Sequence, residues 1–275
     1  MIMHDWNSNK KDVILLIHPM LSSANGMKTY VADNIGNGYR YLAPDLSAHG
    51  DAIKDTYKSA FDNGYRYLAP DLSAHGDAVK DTYKSAVDEA KQIHDYLVKN
   101  QVKKIKLGFG ASLGGVILLQ LLKYDDIQFE HVFFEGTSFY TNAKLLEWIL
   151  RSVFLKKHKK AVADPALSVK KMASMFGTEA APLLAKHFIA MNEESIRNIV
   201  HDCAFVELPP LSDTLQKNCL FAYGDKDFDY KKARRMLPKT YPHAGMKVWG
   251  GYGHCERMTK NPEGYCQALE DFIRA

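Results

Sequence analysis

Three short stretches of this chain carry residues whose types and spacing suit nucleophilic catalysis. At 110–114 the sequence reads GASLG, with Ser112 between the apolar run IKLG and the helical run GVILLQLL. A serine in a G-x-S-x-G stretch between a predicted strand and a predicted helix stands on a tight turn. Small neighbours keep that turn free of clashes, and the hydroxyl lies near a helix N-terminus, where negative charge is favoured. A serine hydroxyl is a weak nucleophile until a histidine takes its proton and an acid holds the histidine in the right tautomer. Both partners follow in the order serine, acid, histidine. CLFAY runs into GDKDFD, which offers Asp225, Asp227 and Asp229, and MKVW runs into GGYGHCE, with His254 in a glycine-rich loop.

A dinucleotide loop competes for the same residues. Gly108, Gly110 and Gly114 resemble a glycine-rich dinucleotide loop, although late in the chain, and Glu130 or Glu135 follows at about the 20-residue interval of a ribose-binding acid. Their spacing is GxGxxxG and not GxGxxG. The serine, acid, histidine order favours acyl-transfer chemistry instead.

These residues need strand ends to hold them. Short apolar runs at 13–17, 39–43, 67–69, 105–108, 131–134, 219–223 and 246–249 predict strands. Helical spacing predicts helices at 26–35, 78–99, 115–123 and 262–273, the second with Val79, Tyr83, Val87, Ala90, Ile93 and Leu97 on one stripe. The alternation implies an α/β fold with a mostly parallel sheet flanked by helices. From Gly136 to Leu211 the pattern becomes helical throughout, around 142–155, 168–175, 180–190 and 193–202, and Pro209-Pro210 ends it. An ordinary crossover needs one helix, so this stretch predicts a cap over residues 137–210 on a core of 1–136 and 211–275.

The stretches LLIHPM, PDLSAHG, GASLGG, YGDKD and GYGH, in this order over nearly the whole chain, resemble the α/β-hydrolase superfamily. The resemblance implies the α/β-hydrolase fold and a serine esterase-like hydrolase acting on a small carboxylic ester or thioester. It implies a catalytic triad of Ser112, Asp227 and His254, because the family's acid stands three residues after the glycine of its YGxxD turn. Asp225 and Glu135 are the alternative acids. The family's His-Gly-x oxyanion loop reads His18-Pro19-Met20 here. Proline lacks an N–H, yet the family's donor is the residue after that pair, so Met20 and Leu113 supply the oxyanion hole. The resemblance implies no metal and no cofactor. The same constellation serves acyltransferases and C–C hydrolases, and a degenerate, non-catalytic ligand-binding member would keep the fold alone.

Residues 37–62 recur in tandem as 63–88 with two changes, Ile53 to Val79 and Phe61 to Val87. Two copies in a longer unrelated chain do not make a solenoid. Each copy is a strand, a loop and a helix start, the family's fourth-strand unit written twice. Copy 2 is expected in the native slot because its helix is complete. The surplus copy then adds a parallel strand near the sheet edge, bulges out, or pairs with a second molecule in a swapped homodimer.

Composition narrows the classes. The chain has 275 residues, 46% hydrophobic and 25% charged, which suits a soluble globular protein. A formal charge of +4 is too small to argue for nucleic acid, and KKHKK at 156–160 reads as a solvated helix end. VILLI is far short of a membrane span, so no membrane partner is expected. Cys203, Cys219, Cys255 and Cys266 show no metal spacing and are expected as free thiols in a reducing cytoplasm.

Overall fold

The computed structural model describes residues 3–35, 40–44, 66–69, 82–176, 178 and 181–275. Among these, the strands are β1 (Met3–Trp6), β2 (Val13–Ile17), β3 (Arg40–Leu42), β4 (Arg66–Ala69), β5 (Lys104–Ala111), β6 (Gln128–Glu135), β7 (Cys219–Gly224) and β8 (Gly245–Trp249). They form one sheet in the order β4-β1-β3-β2-β5-β6-β7-β8. From β3 to β8 neighbouring strands are parallel, and β1 is antiparallel to both β3 and β4. VILLI is buried at every position because helices cover both faces, the usual reason that a parallel strand reads as a continuous apolar run. Its residues divide with period two: Val13, Leu15 and Ile17 enter one core, Ile14 and Leu16 the other.

The first core lies under α2 (Ala86–Lys99), α3 (Leu113–Leu121) and the helices between β6 and β7. The second lies under α1 (Ala24–Met27), which runs on as a π-helical turn through Lys28–Ala32, and under helices of the C-terminal end. Between β6 and β7 come α4 (Lys144–Ala163), α5 (Pro165–Phe176), α6 (Ala181–Ala190) and α7 (Glu193–Ala204). The chain enters and leaves this insert side by side: Val206 N donates to Tyr140 O at 2.7 Å, and Ala143 N to Ala204 O at 3.0 Å. Then follow α8 (Asp213–Lys217), α9 (Tyr230–Thr240), α10 (Glu256–Lys260) and α11 (Pro262–Arg274). No helix among the described residues is long and apolar enough to cross a membrane.

The helix expected over 78–99 begins only at Ala86. Ser85 caps it by accepting from Asp88 N, and residues 82–85 are not helical. The segment before the helix is instead tied to α7. Tyr83 N donates to Ser195 Oγ at 2.9 Å, Asn198 Nδ2 to Tyr83 O at 2.9 Å, and Tyr83 OH to Asp202 Oδ2 at 2.6 Å. With the shorter helix, Ala86, Glu89, Ala90, Ile93 and Leu97 form the buried face. Val87, expected on that stripe, is 52% exposed. Val79 lies outside the described residues.

The duplicated unit is divided between its copies. Copy 1 supplies β3, which lies between β1 and β2 next to the elbow half of the sheet. Copy 2 supplies β4, at the sheet's end beside β1, and the start of α2. Copy 2 therefore does not take the strand slot expected for it, although it does provide the helix. The helix start is held at copy 2's C-terminal end, where Tyr83 and Ala86 are bound by α7 at the beginning of α2. The added strand runs in the same direction as β3, with β1 between them. Residues 37–39, 45–65 and 70–81 lie outside the described residues.

Candidate active site

Ser112 follows β5 directly and begins α3 with φ 51° and ψ −114°, a conformation that L residues rarely adopt. Its N–H donates to Glu135 O at 2.7 Å, which ties the turn to the end of β6. The turn packs hard against the end of β2: a Cβ on Gly114 would lie 2.2 Å from Ile17 O, so only glycine permits this approach. The contact sets the loop after β2 beside the elbow. Met20 and Leu113 line the same cavity as Ser112, and among the described residues neither donates its backbone N–H to another backbone group. His18 is fully buried, with Nδ1 2.9 Å from Pro19 O, and is absent from that lining.

His254 reaches this turn from the loop after β8. Its Nε2 lies 2.8 Å from Ser112 Oγ, and its Nδ1 lies 3.0 Å from each carboxylate oxygen of Asp227. The Asp227 carboxylate accepts, so the proton belongs on Nδ1 and Nε2 is free to accept from the serine hydroxyl. Asp227 is buried in the loop after β7, where its Oδ1 also accepts from Asp229 N at 2.9 Å. Gly136, at φ +61°, gives the ring room: a Cβ there would lie 3.0 Å from His254 Cε1. Phe228 stacks on the ring at 5.1 Å between centroids. Burial works against a charged ring, yet the hydrogen bond and charge of the Asp227 carboxylate outweigh it and raise the imidazole's proton affinity, which favours transfer of the serine proton to Nε2.

The two alternative acids lie elsewhere. Asp225 Oδ1 accepts from Gly251 N at 2.9 Å and braces the turn between β7 and β8. Glu135 Oε2 accepts from Trp249 Nε1 at 2.9 Å and Tyr265 OH at 3.1 Å, within the core on the α11 side. Burial pushes the Glu135 carboxyl up to about 8, against the pull of those two bonds. Neither acid is hydrogen-bonded to His254. Cys255 is buried beside Glu135 O, and burial pushes its thiol up, so it is a poor nucleophile. All four cysteines are free.

Asp229 is the residue that sequence reasoning noticed without assigning. Its Oδ2 lies 3.8 Å from His254 Nδ1, on the edge of the cavity. Burial pushes its carboxyl up to about 7, and the nearby Asp227 carboxylate adds to the effect. Its position two residues after Asp227 was visible in GDKDFD, but which of the three acids turns inward was not. Asp227, Asp229 and His254 are also the group whose ligand atoms could meet at a cation, all within 4.8 Å of one another. A cation on His254 Nδ1 would displace the proton that Asp227 holds there.

The cavity over Ser112 has a volume of about 380 Å³, in the range of small-molecule sites. Its floor is the elbow and the Met20 loop, and its walls come from α4, α5, α6 and α7.

No protein-family model and no curated protein matches the sequence. Solved structures do match over nearly their whole length. A protein from Desulfitobacterium hafniense assigned to the alpha/beta hydrolase family is 14% identical over 98% of this chain and 99% of its own, with a TM-score of 0.68. A carboxylesterase from Nitrososphaera gargenis is 14% identical over 99% and 93%, at 0.69. A serine hydrolase from Cycloclasticus zankles is 19% identical over 99% and 93%, at 0.64. The chain has the α/β-hydrolase fold. At these identities the likeness speaks for the fold, and activity must be argued from the site.

Proposed function

We propose that the protein is a serine hydrolase that cleaves a small carboxylic ester or thioester through an acyl-enzyme. The observation that carries this reading is the unbroken relay from Ser112 Oγ to His254 Nε2 at 2.8 Å and from His254 Nδ1 to Asp227 at 3.0 Å. Ser112 Oγ attacks the carbonyl carbon while His254 Nε2 takes its proton. The oxygen that gains the charge is held by the N–H groups of Met20 and Leu113. Collapse of the tetrahedral intermediate expels the alcohol or thiol, which receives the proton from His254. Water, activated by the same ring, then releases the acid and restores Ser112. Asp227 holds the ring's tautomer and stabilises its cation. Residues 137–210 act as a cap, whose helices close the cavity over the serine.

A fluorophosphonate probe and p-nitrophenyl butyrate test this. Labelling at Ser112 and turnover are expected, and Ser112→Ala should remove the labelling and lower kcat/KM by at least about a thousandfold. Folded protein that neither takes the label nor turns over the ester would overturn the reading.

A further inference from the structure

The proposed chemistry leaves the charge of the cavity unused. The four lysines of KKHKK are exposed, as expected of a solvated helix end, and within that they have different neighbours. Lys159 pairs with Glu193 at 3.6 Å, and His158 is buried edge-on against Phe188, 5.4 Å between centroids. Lys157 and Lys160 line the cavity that contains Ser112 and His254, and Lys171 of α5 joins them there. A place in the last turns of α4 would suit any cation, because the helix dipole favours positive charge. That does not account for Lys171, in the middle of α5, or for three lysines on one cavity.

The lining changes character along α4. Leu146, Leu150, Phe154, Lys157 and Ala161 recur on it at helical spacing, with Lys160 beside them. The stripe is apolar over its first half and cationic over its second, spanning about 21 Å from Leu146 to Lys160 at 1.5 Å per residue. Met172, Phe188, Ile199 and Val200 add further apolar wall. Among the described residues, the one acid in the lining is Asp229. It can offset at most one of the three positive charges. None of the three lysines has an ion-pair partner among the described residues.

We propose that the natural substrate is an amphiphile, an ester or thioester with an apolar segment and a terminal anion that Lys157, Lys160 and Lys171 receive. This rests on the serine-hydrolase reading for the bond that is cleaved, though not for the binding of the anion. A carboxylate or phosphate supplies the required chemistry, on either the acyl or the leaving-group side. The apolar half of the cavity takes the hydrocarbon, and the cationic half selects against neutral esters of the same length.

Binding is read on the Ser112→Ala variant by calorimetry, with octyl phosphate against 1-octanol. Octyl phosphate should bind at least about tenfold tighter, with the preference weakening as salt rises. K157A/K160A/K171A should abolish the preference, and K157Q/K171Q reads the same effect more mildly if the triple variant does not fold. Turnover then locates the anion. Mono-p-nitrophenyl suberate against p-nitrophenyl octanoate reads the acyl side; octanoyl-coenzyme A against S-octanoyl-N-acetylcysteamine reads the leaving-group side. Equal binding of octyl phosphate and octanol, or a preference that survives the lysine substitutions, would overturn the proposal. Turnover without preference for the anion in either pair would overturn it too. A phosphate preference in the variant, together with wild-type protein that takes no fluorophosphonate label, would support the anion site and sink the hydrolase reading instead.

Discussion

From β5 to β8 each member of the candidate triad comes from its own loop: Ser112 after β5, Asp227 after β7, His254 after β8. Across β3, β1 and β4 one sequence occurs twice and is used differently each time. The two copies even meet β1 out of phase. Asp5 pairs with Leu42 of copy 1 but with Tyr67 of copy 2, one residue short of the equivalent Leu68. In the first region geometry is dictated by contacts that a single residue type satisfies, such as Gly114 against Ile17 O. In the second, neighbours decide: β3 has β2 beside it, and α2 has Tyr83 bound to α7 before it. Chemistry constrains residue types, whereas a strand slot accepts any copy that its surroundings can hold.

Changes in the first region should have large effects. Asp227→Asn leaves the ring in place but favours the wrong tautomer, and a loss of about 10⁴-fold in kcat is expected. Asp225→Asn should stay near wild type; equal losses from the two would remove Asp227 from the triad. Gly114→Ala forces the elbow away from Ile17 O and should cost about a hundredfold in kcat, the scale of one oxyanion donor. Steady-state kinetics checks both, and a Gly114→Ala enzyme of normal kcat would show that this contact does not set the donors.

Changes in the second region should be small. Deleting 37–62 leaves one copy, free to supply β3 and α2 together, and loses only the strand at the sheet's end. Thermal melting and kcat/KM should stay at or above wild type, within about threefold in rate, since shortening a connection changes closure entropy little. A deletion variant that fails to fold would make the added strand a structural necessity. The smallest effect lies beneath the site. The Glu135 carboxyl, pushed up to about 8, stays protonated in the folded state over a range where the unfolded chain has released its proton. Stability should therefore fall as pH rises from the ordinary carboxylate range through about 8, then level off. Glu135→Gln should flatten that slope in melting temperatures taken at pH 5 and pH 8, and an unchanged slope would place its origin in other groups.

Much of this arrangement was readable in the sequence, for physical reasons. VILLI, GASLGG and CLFAYGDKD announce buried parallel strands running into tight turns, and the structure brings Ser112, Asp227 and His254 within hydrogen-bonding reach. Strand β1 was missed because MHDW has only four residues, with a buried Asp5 among them. Helix α9 was missed because YKKARRMLPKT buries only Ala233 and Leu237 and contains Pro238. The cavity lining was unreadable for another reason. Helix α4 has apolar residues all round: Leu146 and Phe154 face the cavity, while Leu145 and Trp148 are 70% and 65% exposed. Periodicity cannot orient such a helix.

The backbone of Ser112 has a consequence for the protein's evolution. A φ of 51° with ψ of −114° opposes folding by about 1–3 kcal/mol at a single residue. Glycine would relieve most of that strain, so Ser112→Gly would yield a more stable protein without a nucleophile. The surrounding packing, from Ile17 to Glu135, holds the serine in a conformation that selection for stability alone would discard.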